Sequence, residues 1–213
     1  LTQLHCIPTD ELRRGEVFDH LRTLQSEGLI RHWGVSVETV EEGLLCLEQP
    51  GLASLQIIFN IFRQKLGDEL LPAAQAKGVG LIARVPLASG LLAGKFSADT
   101  TFAETDHRHY NAEGQCFNIG ETFAGVGLAH GTALAEAVRD TLPGPAEHTM
   151  AQQALRWVLD HDAITTVIPG ATRLAQAESN AAVSEMESLP EETHTQLREL
   201  YDAQIADKIQ GVY

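Results

Sequence analysis

Positive charge is scarce in this sequence of 213 residues. It carries 15 lysine and arginine residues against 29 aspartate and glutamate residues, which gives a formal charge of −14. Such an excess of acidic side chains repels nucleic-acid backbones and anionic lipid headgroups. The composition therefore excludes nucleic acid and a membrane surface as main partners. Any anionic ligand must be held by local cations and backbone N–H groups.

Long hydrophobic runs and cysteines are also lacking. No apolar run reaches the roughly 18 residues that cross a bilayer. The sequence also lacks the basic start and following apolar segment of a secretory signal. The three cysteines, Cys6, Cys46 and Cys116, show neither C-x-x-C nor Cys/His metal-ligand spacing. We therefore expect reduced thiols, no metal site and a cytoplasmic protein.

Short apolar strands alternate with helices along the chain. The apolar and β-branched runs lie near residues 2, 32, 56, 82 and 166. Helical spacing predicts helices over 17–27, 38–48, 66–77, 128–142 (ending at Pro143-Gly144-Pro145), 150–159, 174–183 and 191–205. This alternation predicts an α/β fold with a parallel sheet and right-handed crossovers. The polar segment 96–126 is predicted to be a long loop with a functional role.

The stretch VGLIARVPLASGLLAGK, residues 79–95, contains the clearest ligand-binding signal. A short buried strand ends at Pro86, and small residues then allow backbone to approach a bound group closely before Lys95 adds a positive charge. Ligands bind at this carboxyl edge in parallel α/β folds. Gln56, the polar residue of the preceding strand, is either a hydrogen-bonding core residue or a ligand contact. No G-x-G-x-x-G follows the first strand, which disfavours an open dinucleotide-binding sheet.

Several segments together resemble the aldo-keto reductases. They are LHC at 4–6, GLIRHWGVS at 28–36, QIIFN at 56–60, ARVPLASGLLAGK at 83–95, ALRWVL at 154–159 and VIPGAT…QAESN at 167–180. The resemblance implies a (β/α)8 TIM barrel, here one incomplete domain, 1–213, covering about the fourth to eighth βα units and the carboxyl-terminal helix. It also implies a cytoplasmic oxidoreductase that reduces aldehydes or ketones with NADPH, with NADH less favoured.

Length and the first residues agree with an incomplete barrel. A complete (β/α)8 barrel takes about 250 residues, and this sequence begins without Met, inside a predicted strand. We therefore expect an amino-terminally truncated member that lacks the first three units. The resemblance places the catalytic Asp, Tyr and Lys in those units, so this chain alone is expected to be inactive.

The resemblance also assigns roles to residues of this chain. His5 matches the catalytic histidine, which helps to polarise the substrate carbonyl. Ser36 and Gln56 match the residues that bind the nicotinamide carboxamide, and Arg84 falls where relatives stack a ring on the nicotinamide. The pyrophosphate loop corresponds to Pro86, Leu87, Ala88, Ser89 and Lys95, and the adenine-nucleotide end to Gly170, Thr172, Arg173, Gln176 and Asn180. Lys95, Arg108 and Arg173 are the candidate partners of a 2′-phosphate.

Each assignment has a plainer alternative. His5 can be a strand-end histidine satisfied by its neighbours, and Arg84 can pair with a carboxylate. Lys95, Arg108 and Arg173 can be solvated surface charges. Trp33 and Trp157 are predicted to be core residues. His107 and His109 form an H-x-H pair without further ligands, which is a weak metal signal, so a loop that lines a substrate or cofactor cleft is the preferred interpretation.

Three functions remain open at this point. The first is a carbonyl reductase acting on a small molecule, and the second is a nucleotide-binding regulatory or pseudo-enzyme barrel without turnover. The third is a barrel lyase or isomerase without nicotinamide, which the ordered set of segments disfavours. Because a partial barrel leaves its outer strands unpaired, we also expect low stability or self-association through those strands.

Overall fold

A single parallel sheet organises the chain. The computed structural model describes residues 1–144 and 148–213. Each strand pairs with the next in sequence, in the order β1 (Thr2–His5), β2 (Trp33–Ser36), β3 (Leu52–Ile58), β4 (Gly80–Arg84) and β5 (Ile164–Val167). All pairings are parallel, which confirms the predicted strands and sheet.

Helices connect and follow the strands. In the described ranges they are α1 (Thr9–Arg14), α2 (Glu16–Ser26), α3 (Val40–Leu47), α4 (Leu70–Ala76), α5 (His107–Tyr110), α6 (Leu128–Thr141), α7 (Met150–Leu159), α8 (Leu174–Ala181) and α9 (Glu191–Leu200). No helix of the described part of the chain is both long and apolar enough to cross a membrane.

The predicted helices agree with these bounds except at α1, at α4 and at α5, which lies in the segment 96–126 that was predicted to be a loop. Helix α1 was not predicted, because it buries only Leu12 and so lacks a detectable apolar period. The predicted helix 66–77 is split into a short 3-10 turn at Lys65–Gly67 and α4. Pro72 is accommodated in the first turn of α4, where a helix does not need its missing N–H. The predicted turn at Pro143-Gly144-Pro145 lies in part outside the described residues.

The two faces of the sheet differ in chemistry. Side chains alternate along a strand, so Val35, Leu55 and Leu81, all fully buried, share the face that the helices cover. The opposite face, called here the polar face, carries mainly small and polar residues, with Ile58 and Ile82 as its large apolar ones: Gln3, His5, Gly34, Ser36, Ser54, Gln56, Gly80 and Arg84. A sheet wound with helices on both sides would be apolar on both faces. The polar residues of the second face differ from that pattern.

The core lies between the sheet and the helices. Trp33 and Trp157 are 0% and 2% exposed, which confirms their prediction as core residues. Trp157 stacks on Phe59 with ring centroids 5.2 Å apart, and Trp33 contacts Phe18 at 5.7 Å. Burying each such ring contributes about 1.5–3 kcal/mol or more, so these contacts fix α2 and α7 against the sheet.

The segment 96–126 is irregular but ordered by its own contacts. It contains α5 and two 3-10 turns at Ile119–Glu121 and Phe123–Gly125. Asn111 is fully buried, donates to Thr122 Oγ1 at 3.0 Å and accepts from the backbone N–H groups of Cys116 and Phe117. This amide therefore replaces the hydrogen bonds that regular structure would provide.

Candidate active site at the carboxyl edge of the sheet

The register of the strands brings predicted site residues side by side. His5 pairs with Ser36 across β1 and β2, and Ser36 pairs with Gln56 across β2 and β3. Parallel strands place their carboxyl ends at one edge, so these residues share that edge as well as the polar face. His5 is exposed, whereas Ser36 is only 1% exposed.

Hydrogen bonds join these side chains into a ladder across three strands. The Gln56 amide nitrogen donates to Gln3 Oε1 at 3.1 Å, and Ser36 Oγ donates to Gln56 Oε1 at 3.5 Å. The Cys6 thiol lies 3.6 Å from Ser36 Oγ. Gln56 is thus hydrogen-bonded on both sides within the sheet, and a contact with a ligand stays a prediction. The Ser36–Gln56 hydrogen bond is long and lies near the carboxyl edge of the sheet. A ligand amide at this edge can therefore replace it with its own hydrogen bonds to Ser36 and Gln56.

Arg84 forms a buried ion pair at the end of β4. Its Nη1 donates to Glu121 Oε1 in the long loop, and the arginine is 5% exposed. Its Nη2 lies 3.6 Å from Cys6 Sγ and 3.5 Å from the Val37 carbonyl oxygen. The pairing with a carboxylate is thus the arrangement observed. Glu121 belongs to a loop and not to a strand, so this partner was not identifiable from strand periodicity.

A cavity of about 500 Å³ opens beside His5. It is lined by His5, Cys6, Glu38, Phe117, Asn118 and Glu121. Single ligand atoms of Cys6, Glu38 and Glu121 lie within 4.8 Å of one another, but the Arg84 guanidinium contacts two of the three, which opposes a bound cation. Burial raises the pKa of the Cys6 thiol, so the thiol is neutral near pH 7.

The predicted pyrophosphate loop makes a tight turn after β4. Val85, Ala88 and Ser89 have φ values of 52°, 48° and 56°, a region that non-glycine residues rarely adopt. The Ser89 hydroxyl donates to the Glu121 carbonyl oxygen at 2.9 Å and accepts from the Phe123 N–H at 3.0 Å. Backbone strain of this kind is held in place by surrounding contacts and concentrates at ligand sites.

The predicted cations around this turn have different surroundings. Arg108 is half-buried, packs over Phe102 at 4.3 Å and donates to Asp106, whose pKa it lowers to about 2. Its Nη1 lies 3.5 Å from the Ser89 carbonyl oxygen, so Arg108 is tied to the turn and is not simply a solvated charge. Lys95 is exposed.

The predicted adenine end forms a separate cluster after β5. Gln176 Oε1 accepts from the Thr172 N–H at 2.8 Å and the Arg173 N–H at 3.2 Å. Asn180 Nδ2 lies 3.4 Å from the Gly170 carbonyl oxygen and lines a cavity of about 360 Å³ beneath Pro169. Ile168 donates its N–H to the Ala83 carbonyl oxygen, which places this cluster next to the end of β4.

Contacts missed by sequence reasoning come from the long loop and from the turn after β3. Glu121 connects the loop to the edge through its carbonyl oxygen, which accepts from the predicted residue Ser89, and buried Asn60 donates to the Val85 carbonyl oxygen at 2.9 Å. Buried Arg63 contacts the same loop. The sequence signal that could have identified Asn60 and Arg63 is their position as polar residues shortly after an apolar strand.

Comparison with protein families gives one match over most of the chain. The model described as "Aldo/keto reductase family" matches residues 1–202. Among curated proteins, L-glyceraldehyde 3-phosphate reductase of Escherichia coli (strain K12) is 32% identical over 159 residues, 75% of this chain and 40% of that protein. The uncharacterized oxidoreductase C215.11c of Schizosaccharomyces pombe is 27% identical over 180 residues, 84% of this chain and 45% of that protein. The chain spans about half the length of the curated relatives it matches.

Solved structures share the fold. The glycerol dehydrogenase AKR11B4 from Gluconobacter oxydans superposes with a TM-score of 0.69 at 25% identity, over 99% of this chain and 61% of that chain. The holo form of the aldo-keto reductase AKR11C1 from Bacillus halodurans gives a TM-score of 0.68 at 23% identity, over 99% and 59%. The α/β arrangement with a parallel sheet is thus the one found in these neighbours.

Proposed function

Because this chain belongs to the aldo/keto reductase family, we propose that it binds a nicotinamide dinucleotide along the carboxyl edge of its sheet and contributes to the reduction of aldehyde or ketone carbonyls. NADPH is the proposed cofactor, with NADH the weaker ligand, and a small carbonyl compound is the proposed substrate. The observation that carries this proposal is the lateral alignment of His5, Ser36 and Gln56 on adjacent strands. When bound, the cofactor supplies the hydride.

Ser36 and Gln56 are proposed to hold the carboxamide of the nicotinamide. A primary amide needs one donor and one acceptor, which a hydroxyl and a glutamine amide provide together. The 3.5 Å contact between them is the one that a ligand amide would replace. Because Gln56 keeps its 3.1 Å bond to Gln3, its amide stays oriented during the exchange.

His5 is proposed to act on the substrate carbonyl. The ring is exposed at the edge and lines the cavity of about 500 Å³. A neutral imidazole can donate a hydrogen bond to the carbonyl oxygen as negative charge develops there. The proton donor itself is proposed to come from an Asp, Tyr and Lys group outside this chain, as expected if the five strands are the fourth to eighth of the barrel.

The rest of the edge is proposed to hold the phosphates and the adenine. Pro86, Leu87, Ala88 and Ser89 would present backbone N–H groups to the pyrophosphate. Gly170, Thr172, Arg173, Gln176 and Asn180 would surround the adenine nucleotide near the start of α8. Lys95, Arg108 and Arg173 are the proposed partners of a 2′-phosphate. Arg84 can stack on the nicotinamide only if its ion pair with Glu121 is broken. We therefore propose that Arg84 supports the site by holding Glu121 and does not stack on the ring.

Equilibrium titration with NADPH and NADH tests the proposal. We expect saturable binding, tighter for NADPH, and a loss of about tenfold in affinity for Gln56→Leu, because about 1.4 kcal/mol of amide hydrogen bonding is removed. Gln196→Leu, on the exposed surface of α9, is the matched control and should bind as the wild type does. Absence of binding to either nucleotide by the folded chain would refute the proposal.

The second candidate is a nucleotide-binding protein without turnover. It requires only the strand-end residues that would bind the cofactor, such as Ser36 and Gln56, and no proton donor. Turnover assays on the longest reading frame that contains this chain separate the two functions. Nucleotide binding with carbonyl reduction supports the reductase, whereas binding without reduction supports the alternative.

A further inference from the structure

Arg63 is a buried cation that has no anionic partner among the residues that the structure describes. The residue is fully buried, and no carboxylate of the described ranges lies within salt-bridge distance of it. Its Nη1 donates to the Ala124 carbonyl oxygen at 3.2 Å, and its Nη2 lies 3.5 Å from the Val212 carbonyl oxygen. Burial lowers its pKa to about 10. Burying an uncompensated charge lowers the free energy of unfolding, so we infer that Arg63 has a specific role at this position.

The guanidinium is enclosed between two segments of chain. On one side lies the loop: a Cβ added to Gly120 would come within 2.7 Å of Arg63 Nη1. On the other side lies the 209–213 segment, with the Tyr213 ring centroid 4.2 Å from Arg63 Cζ. A guanidinium over a tyrosine face is attracted by the ring quadrupole, and more strongly when water is excluded. Arg63 therefore joins the 209–213 segment to the loop.

The two segments also contact each other directly. Gln210 donates its N–H to the Gly125 carbonyl oxygen at 3.0 Å, and a Cβ on Gly125 would lie 2.8 Å from the Gln210 carbonyl oxygen. A Cβ on Gly211 would lie 2.7 Å from Ile119 Cγ2. Only glycine permits such approaches without displacing a neighbour. Tyr213 is further fixed by Tyr201, whose hydroxyl is 2.7 Å away.

The same loop forms one wall of the cavity beside His5. Phe117, Asn118 and Glu121 line that cavity, and Glu121 directly follows Gly120, the residue packed on Arg63. Glu121 also pairs with Arg84, next to Cys6. A displacement of the loop from Arg63 would thus move Glu121 and uncover the Cys6 thiol.

We propose that Arg63 and the 209–213 segment clamp the loop 117–125 in place, and that Arg63 is a positioning residue for the cavity beside His5. The clamp itself is independent of the ligand, whereas its relevance to substrate rests on the proposed function. When the clamp is intact, Glu121 stays on Arg84 and Cys6 stays half-buried. When the clamp is released, the loop opens and the cavity loses that wall.

Thiol labelling of Cys6 with a maleimide measures the clamp without any nucleotide. In a Cys116→Ser background the remaining thiols are half-buried Cys6 and fully buried Cys46, which reports global unfolding. We expect Tyr213→Leu and Arg63→Met to raise the Cys6 labelling rate about tenfold or more while Cys46 stays protected, as for a local opening. Tyr213→Phe keeps the ring over Arg63 and should label at close to the wild-type rate.

The control for the arginine is Arg14→Met, which removes an exposed ion pair with Glu11 and should leave labelling unchanged. Unchanged Cys6 labelling in Tyr213→Leu would overturn the proposal. Equal acceleration of Cys6 and Cys46 would overturn it too, because the residues would then support only global stability. If Arg63→Met does not fold, the Cys6 labelling rate of Tyr213→Leu alone tests the clamp. NADPH titration of the same variants is read separately, so absent binding contradicts the proposed function and leaves the clamp standing.

Discussion

At the scale of single residues, the edge of the sheet is held together by groups that satisfy one another. Arg84 meets Glu121, and the Ser89 hydroxyl bridges two backbone groups of the long loop. Such contacts place the loop against the strand ends. The affinity of the proposed nucleotide would reflect the difference between the hydrogen bonds that it forms and those that it replaces.

The Arg84–Glu121 pair provides a residue-scale prediction. Glu121→Ala leaves the buried guanidinium without its carboxylate, and we expect a loss of about 2–3 kcal/mol in the free energy of unfolding. This is at or below the loss of about 3–5 kcal/mol that follows when a fully buried pair is broken, because the Glu121 side chain is 24% exposed to solvent. Urea unfolding measures it.

Glu113→Ala, an exposed glutamate of the same loop, is the control and should change stability by less than about 0.5 kcal/mol. Equal stability of the two variants would mean that the pair adds nothing to the loop's attachment.

At the scale of elements, capping side chains set several helix boundaries. Thr149 accepts from the Gln152 N–H, and Gln152 Oε1 accepts from the Thr149 N–H, which forms a complete capping box at the start of α7. Thr39 and Glu42 do the same for α3. These boxes begin the helices that carry the core residues Trp157 and Cys46.

The cap of α7 provides the prediction at this scale. Thr149→Ala removes the acceptor for the Gln152 N–H and should lower the free energy of unfolding by about 1 kcal/mol. Thr195→Ala, an exposed threonine inside α9, keeps its helix cap and should change stability by less than about 0.5 kcal/mol. A smaller effect at Thr149 than at Thr195, by thermal or urea unfolding, would contradict this account of the boundary.

The elements also show what the sequence can predict. Apolar runs identified all five strands, because buried parallel strands are short and continuous. Order along the chain then aligned His5, Ser36 and Gln56 at one edge. The clamp at Arg63 and the pairing of Glu121 were not predictable, because they join residues far apart in sequence within irregular segments. Hydrogen bonds between loops leave no periodic signal.

At the scale of the whole molecule, the outer strands have one neighbour each. In the described residues β1 pairs with β2 and β5 pairs with β4, so one side of each has unpaired backbone groups. Free strand edges favour association with further strands. The formal charge of −14 opposes close approach of two copies, so association should strengthen as salt screens the repulsion.

Sedimentation at increasing salt measures that tendency. We predict that the chain self-associates through these edges and that Thr166→Lys, an exposed position on β5, shifts the population toward monomer. Thr195→Lys, which adds the same charge on α9, should leave the distribution as in the wild type. A chain that stays monomeric at all salt concentrations and unfolds in one sharp transition at high temperature would contradict the prediction.

The central claim is that the carboxyl ends of consecutive strands hold one dinucleotide along their length. Hydrogen–deuterium exchange with and without NADPH tests it most directly, since bound ligand slows exchange where it covers or orders backbone. We predict protection in 34–38, 55–60, 84–95 and 169–180 together, and little change in α2 or α9. Saturating NADPH that leaves these four segments unprotected, or protects a different surface, would contradict the claim.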